Sequence, residues 1–138
     1  MSPNLTSSAM KLMAIDYGEK RVGVASTDES GRFALPRAVW PNDKTLLEKI
    51  LKFKNDEGIE KVILGESKNL KGGPNPIQVK IQKLKAELES LGVKVVYHPE
   101  VYTTVEARRL QGETPMTDAS AAALILKSFL DTMYNKGV

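Results

Sequence analysis

The feature that most constrains the fold is a short apolar run, Lys11–Asp16 (KLMAID), that stops on an acid and resumes four residues later as a second run, RVGVAST. The break between them, Tyr17-Gly18-Glu19-Lys20, contains a glycine. Two runs of strand-forming residues joined by so short a connection predict a β-hairpin. Asp28–Gly31 (DESG) is a further turn signal, and Arg32–Trp40 supplies a third strand. The chain therefore opens as a three-strand antiparallel meander.

Pro41-Asn42-Asp43 predicts the start of a helix with apolar positions at Leu46, Leu47, Ile50 and Leu51, closed by Gly58. Lys61–Gly65 (KVILG) is a short, continuously apolar strand, and 67–76 (SKNLKGGPNP) has the composition of a loop. Ile77, Ile81, Leu84, Leu88 and Leu91 then follow a helical stripe that ends at Gly92, and Lys94–Tyr97 is the next strand. The last helix has the clearest period, with Ala119, Ala122, Ala123, Leu126, Phe129, Leu130 and Met133 on one face. The order βββ-α-β-α-β-α-α implies parallel pairing of the later strands through right-handed crossovers. The expectation is an α/β fold: one domain, a mixed five-stranded sheet flanked by helices, spanning 11–138 behind a flexible leader at 1–10. Met10 is a candidate start of its own.

A chain of 138 residues, 41% hydrophobic and 27% charged, suits one soluble domain. It has no cysteine, which excludes disulfides, thiolate nucleophiles and cysteine–zinc sites and fits a cytoplasmic location. No stretch reaches the roughly 20 apolar residues needed to cross a bilayer, and the first ten residues lack a signal-peptide pattern. The formal charge of +3 is compatible with a polyanionic partner.

Three acids occupy positions that suit chemistry. Asp16 ends the first strand, with Gly18 leaving room for a substrate backbone; Glu100 follows the strand ending at His98; Asp118 opens the last helix, whose alanines allow close approach to the sheet. Each has a plainer alternative: a turn acid, a solvated loop residue and a helix cap, respectively. Their combination, in this order on these elements, points to carboxylates converging on a divalent cation, Mg²⁺ or Mn²⁺. Two such ions clamp a phosphodiester for hydrolysis. Glu66, at the end of KVILG, is a fourth candidate or else an exposed strand terminus. His98 is the only histidine, so neither a histidine metal cluster nor a catalytic triad has support. The loop Lys68-Asn69-Leu70-Lys71-Gly72-Gly73 either drapes over a phosphate backbone or is simply a loop; it lacks the spacing of an ATP-binding loop. Arg108 and Arg109 extend a basic face or sit on an ordinary solvated one.

The segment LMAIDYGEKRVGVASTD resembles the opening motif of the YqgF family of Holliday-junction-resolvase-like proteins. VILGESKNLKGG, PEVYTTVEA and DASAAALILKSFL resemble its later signatures, so the likeness runs from about Lys11 to Leu130. The resemblance implies a ribonuclease H-like fold and a metal-dependent nuclease, with 5′-end maturation of pre-16S rRNA as its role. The alternatives are a resolvase-like endonuclease on branched DNA and a non-catalytic nucleic-acid-binding module. It implies Asp16, Glu100 and Asp118 as catalytic metal ligands. Gly18, Lys20, Arg21, Lys68, Asn69, Thr103 and Thr104 are the implied substrate contacts. The implied partner is an rRNA precursor or branched DNA, met by a monomer or weak homodimer away from any membrane. Two departures bear on activity. Pro99-Glu100-Val101 stands where the family has Asp-Glu-Arg, and RRLQGETPMT replaces a longer basic segment before Asp118.

Overall fold

A computed structural model of the chain describes residues 10–66, 76–99 and 117–135. Five strands form one sheet: β1 (Leu12–Tyr17), β2 (Arg21–Thr27), β3 (Ala34–Pro41), β4 (Lys61–Glu66) and β5 (Val95–Pro99), in the order β3-β2-β1-β4-β5. β1–β2 and β2–β3 pair antiparallel, whereas β1–β4 and β4–β5 pair parallel. The meander and the parallel half therefore meet at β1. This explains why Leu12–Ile15 and Val62–Leu64 are apolar without alternation: strands covered on both faces bury every side chain.

Among the described residues, three helices cover the sheet: α1 (Leu46–Glu57), α2 (Pro76–Ser90) and α3 (Thr117–Asn135). Side chains alternate faces along a strand, so Met13, Ile15, Val62 and Leu64 form one core with Ile50 of α1 and Ile81, Leu84 and Leu88 of α2. Leu12, Ala14, Ala25 and Ile63 form the other, with Ala122, Ile125, Leu126 and Leu130 of α3. The result is a three-layer α/β/α sandwich.

Three boundaries differ from expectation. The first helix begins at Leu46, not at Pro41–Asp43. Pro41 still closes β3, and Asp43 forms a turn ahead of the helix, its Oδ1 accepting from the Thr45 N–H (2.9 Å) and hydroxyl (2.6 Å). An acid with this composition signals a helix start without marking its first residue. β3 begins at Ala34 because Asp28 holds the preceding turn: its N–H bonds the Phe33 carbonyl (2.9 Å) and its Oδ1 accepts from Ser30 Oγ (2.8 Å). β5 extends to Pro99, one residue later in starting and two in ending than expected; a proline is tolerated because β5 is a sheet edge. Gly58 closes α1 in the left-handed conformation (φ 68°), as anticipated, with its N–H on the Lys54 carbonyl. The expected short helix carrying Arg108 and Arg109, and the leader before Met10, lie outside the described residues.

Candidate active site

Asp16 is the fifth residue of the central strand and shares the α3 face with Leu12 and Ala14. Although charged, it is only 6% exposed. Its register partner on β2 is Gly23, and Ile15 pairs with Leu64, which places Gly65 beside it on β4. Both glycines are buried and fall on the same face as Asp16, by alternation with Ala25 and Ile63. The acid is therefore flanked on both neighbouring strands by residues with no side chain. Its carboxylate has the hard oxygen chemistry that suits Mg²⁺ or Mn²⁺. Sequence reasoning overlooked Gly23 and Gly65; their signal is register, which local spacing does not contain.

The β1–β2 turn holds Asp16 in place. Gly18 donates its N–H to the Arg21 carbonyl (3.0 Å), and a Cβ on Gly18 would stand 2.6 Å from that oxygen. The glycine thus has a structural reason independent of any ligand. Asn42, just past β3, clasps the turn: its Nδ2 donates to the Gly18 carbonyl (2.7 Å) and its N–H to the Lys20 carbonyl (3.0 Å). Lys20 is exposed in this turn, and Arg21, the exposed first residue of β2, lies on the Asp16 face by alternation with Gly23 and Ala25.

Glu66 does not join this site. It follows Val62 and Leu64 on the opposite face, where its charge acts on the Tyr97 phenol beside Lys85 of α2. It ends β4 as a half-buried strand terminus. His98 is on the Asp16 face and in register with Gly65, but it is engaged with α3: Nε2 lies 2.8 Å from Ser128 Oγ, and the ring meets Phe129 edge-on at 5.8 Å. Burial pushes the His98 pKa below its usual 6.5. Asp118 belongs to the first turn of α3, the helix that packs on the Asp16 face, with Ala119, Ala121 and Ala122 fully buried just after it. The Asp118 side chain, Glu100, Lys68, Asn69, Thr103 and Thr104 lie outside the described residues. Among the described residues, no group of three potential metal ligands comes together, as expected when only one of the three acids has a described side chain.

The family described as "RuvX: Holliday junction resolvase" matches residues 10–132. The chain belongs to this family. A Syntrophus aciditrophicus protein named "Putative pre-16S rRNA nuclease" is 33% identical over 90% of this chain and 90% of its own length. A Thermoanaerobacter pseudethanolicus protein of the same name is 32% identical over 92% of this chain and the whole of its own. Among solved structures, Thermus thermophilus RuvC in complex with a Holliday junction substrate superposes with a TM-score of 0.59 at 15% identity, covering 91% of this chain and 96% of that one. Fowlpox virus resolvase with Holliday junction DNA gives 0.58 at 15% identity, covering 90% and 99%. At such identities the likeness is one of fold, and that fold is the ribonuclease H-like sheet and helices of the resolvases.

Proposed function

We propose that the chain is a metal-dependent nuclease that hydrolyses phosphodiester bonds, with 5′-end maturation of pre-16S rRNA in the cytoplasm as its role. The observation that carries the reading is the buried Asp16 on the central strand between two glycines, in a chain of the resolvase family. Relatives at 32–33% identity that carry the pre-16S rRNA nuclease name favour RNA as the substrate.

In this reading Asp16, Glu100 and Asp118 hold Mg²⁺ or Mn²⁺, which when bound activates water and stabilises the charge on the leaving oxygen. Asp16 contributes a carboxylate whose position is set by the central strand and the Gly18 turn, so little motion is needed to bring it to bear. Gly23 and Gly65 leave the substrate backbone room to reach it. Arg21, on the same face, and Lys20, in the turn, pair with phosphates on either side of the scissile bond. Lys68, Asn69, Thr103 and Thr104 are the remaining substrate contacts of this reading. A second reading, cleavage of branched DNA, is favoured by the family description itself.

The test is cleavage of an end-labelled RNA carrying the 16S precursor 5′ junction, beside a four-way DNA junction, in Mn²⁺ or Mg²⁺ and in EDTA. Metal-dependent cutting is expected on the RNA. Asp16→Asn should reduce it by about a hundredfold or more while leaving the melting temperature near that of the wild type. Preferential cutting of the junction would transfer the reading to resolution. A folded wild type that binds both and cuts neither would establish the binding module, which the Pro99-Glu100-Val101 departure motivates.

A further inference from the structure

The ends of β1, β4 and β5 opposite Asp16 carry a second charged feature. Lys54, Lys61 and Lys94, with Met10, Glu60 and Gly92, line a depression of about 320 Å³. Lys11 borders it, its N–H on Glu60 Oε2 (3.3 Å) and its carbonyl accepting from the Glu60 N–H (2.8 Å). The topology brings these residues together: Leu12 pairs with Lys61, and the Val62 N–H bonds the Lys94 carbonyl (2.9 Å). Lys54 arrives from the last turn of α1, whose capping Gly58 bonds its carbonyl.

The charge balance is lopsided. Three lysines and one glutamate line the hollow, with the Lys11 backbone at its border. Three helix lysines are paired with acids one turn on, Lys52–Asp56 (2.6 Å), Lys85–Glu89 (2.9 Å) and Lys127–Asp131 (3.3 Å). Among the described residues, no such carboxylate pairs with Lys54, Lys61 or Lys94. Lys54 suits the negative end of the α1 dipole. Lys61 and Lys94 have no comparable structural reason to face the same hollow.

We propose that this pole is a second phosphate-binding surface, which holds a stretch of nucleic acid remote from the scissile bond. It rests on the chain acting on nucleic acid. Five residue steps along the strand direction separate Lys11 from Asp16, about 17 Å, so a phosphate at one pole cannot be the phosphate at the other. That distance is about five base-pair steps of a duplex, within the extent of a folded RNA but beyond a di- or trinucleotide. The surface would hold the backbone by charge, independent of base sequence, and add affinity for large substrates only.

The test is anisotropy binding of a labelled RNA hairpin of about 20 base pairs and of a trinucleotide, in EDTA, across a series of KCl concentrations. The proteins compared are the wild type, the triple variant Lys54→Ala/Lys61→Ala/Lys94→Ala and the corresponding triple Lys→Arg variant. For the hairpin, the alanine variant should lower the slope of log K against log salt by about 2–3, near one per lost phosphate contact, and weaken binding about tenfold or more at low salt. The arginine variant should retain both, which separates charge from any loss of fold. The trinucleotide should bind all three proteins alike. An unchanged slope for the alanine variant overturns the proposal and leaves the pole to an acidic protein partner. An equal loss on the trinucleotide also overturns it, since the lysines would then belong to the Asp16 site. Because binding is read without cleavage, absence of nuclease activity in the wild type would sink the proposed function and leave this result standing.

Discussion

Replacing Gly18 by alanine tests the account of how Asp16 is held. The φ of Gly18 is not positive, unlike those of Gly31, Gly58 and Gly92, so the substitution carries no left-handed backbone penalty. Its cost is steric: the new Cβ would meet the Arg21 carbonyl oxygen at 2.6 Å, a backbone atom that cannot rotate away. The turn must open, which loses the Gly18–Arg21 bond (3.0 Å) and strains the Asn42 clasp (2.7 Å). Two hydrogen bonds at about 1 kcal/mol each, with residual strain, amount to about 2–3 kcal/mol. For a chain of this size, at about 4 °C per kcal/mol, the melting temperature should fall by about 8–12 °C. Gly58→Ala is the matched control: φ is 68° and nothing lies within 4 Å of its Cβ, so it should cost only the backbone penalty of about 1 kcal/mol. The assay is differential scanning calorimetry of both variants, with metal affinity by titration. Gly18→Ala should also weaken metal binding, because Asp16 is two residues away; Gly58→Ala should not. A Gly18→Ala protein no less stable than Gly58→Ala would refute the steric argument.

Two further outcomes follow from the face that α3 covers. Burial favours neutral His98, so its folded pKa lies below the unfolded value near 6.5. Its contribution to stability is therefore present above about pH 6.5 and is lost as pH falls through the lower folded value. Urea unfolding at several pH values should show wild type losing stability over that window relative to His98→Gln, and parallel pH curves would contradict it. Leu126→Ala removes a fully buried side chain from the α3 core and should cost about 2–5 kcal/mol by the same measurement, with the metal affinity of Asp16 read beside it to see whether helix docking supports the site.

Much of this architecture is written locally. KLMAID and KVILG read as buried strands because β1 and β4 are covered on both faces, and the stripe ending at Gly92 reads as a helix because α2 buries one side only. Boundaries were less legible where a polar residue serves a turn instead of a cap, as Asp43 does. The candidate site divides along the same line. Asp16 is visible as an acid ending an apolar run. Glu66 gives the same signal and stands on the wrong face, since Val62 and Leu64 place it with α1 and α2. Which face bears the chemistry depends on where α3 docks, and no local pattern around residue 66 encodes that.

The two glycines and the lysine pole carry this point further. Gly23 and Gly65 are 42 positions apart in sequence numbering, yet register places both beside Asp16. Lys11, Lys54, Lys61 and Lys94 are scattered over most of the chain, and no basic run announces them. Gly23 is placed by the antiparallel register of β2, whereas Gly65 and the strand-borne lysines meet because parallel strands align their ends. Their carboxyl ends gather at the acid pole, and their amino ends gather at the lysines. A sheet of this topology can therefore segregate charge along its strand axis even when the sequence intersperses it. Lys54, Lys61 and Lys94 gather at the opposite pole, so loss of their charges should cost a long RNA its affinity and leave cutting of a short one unchanged.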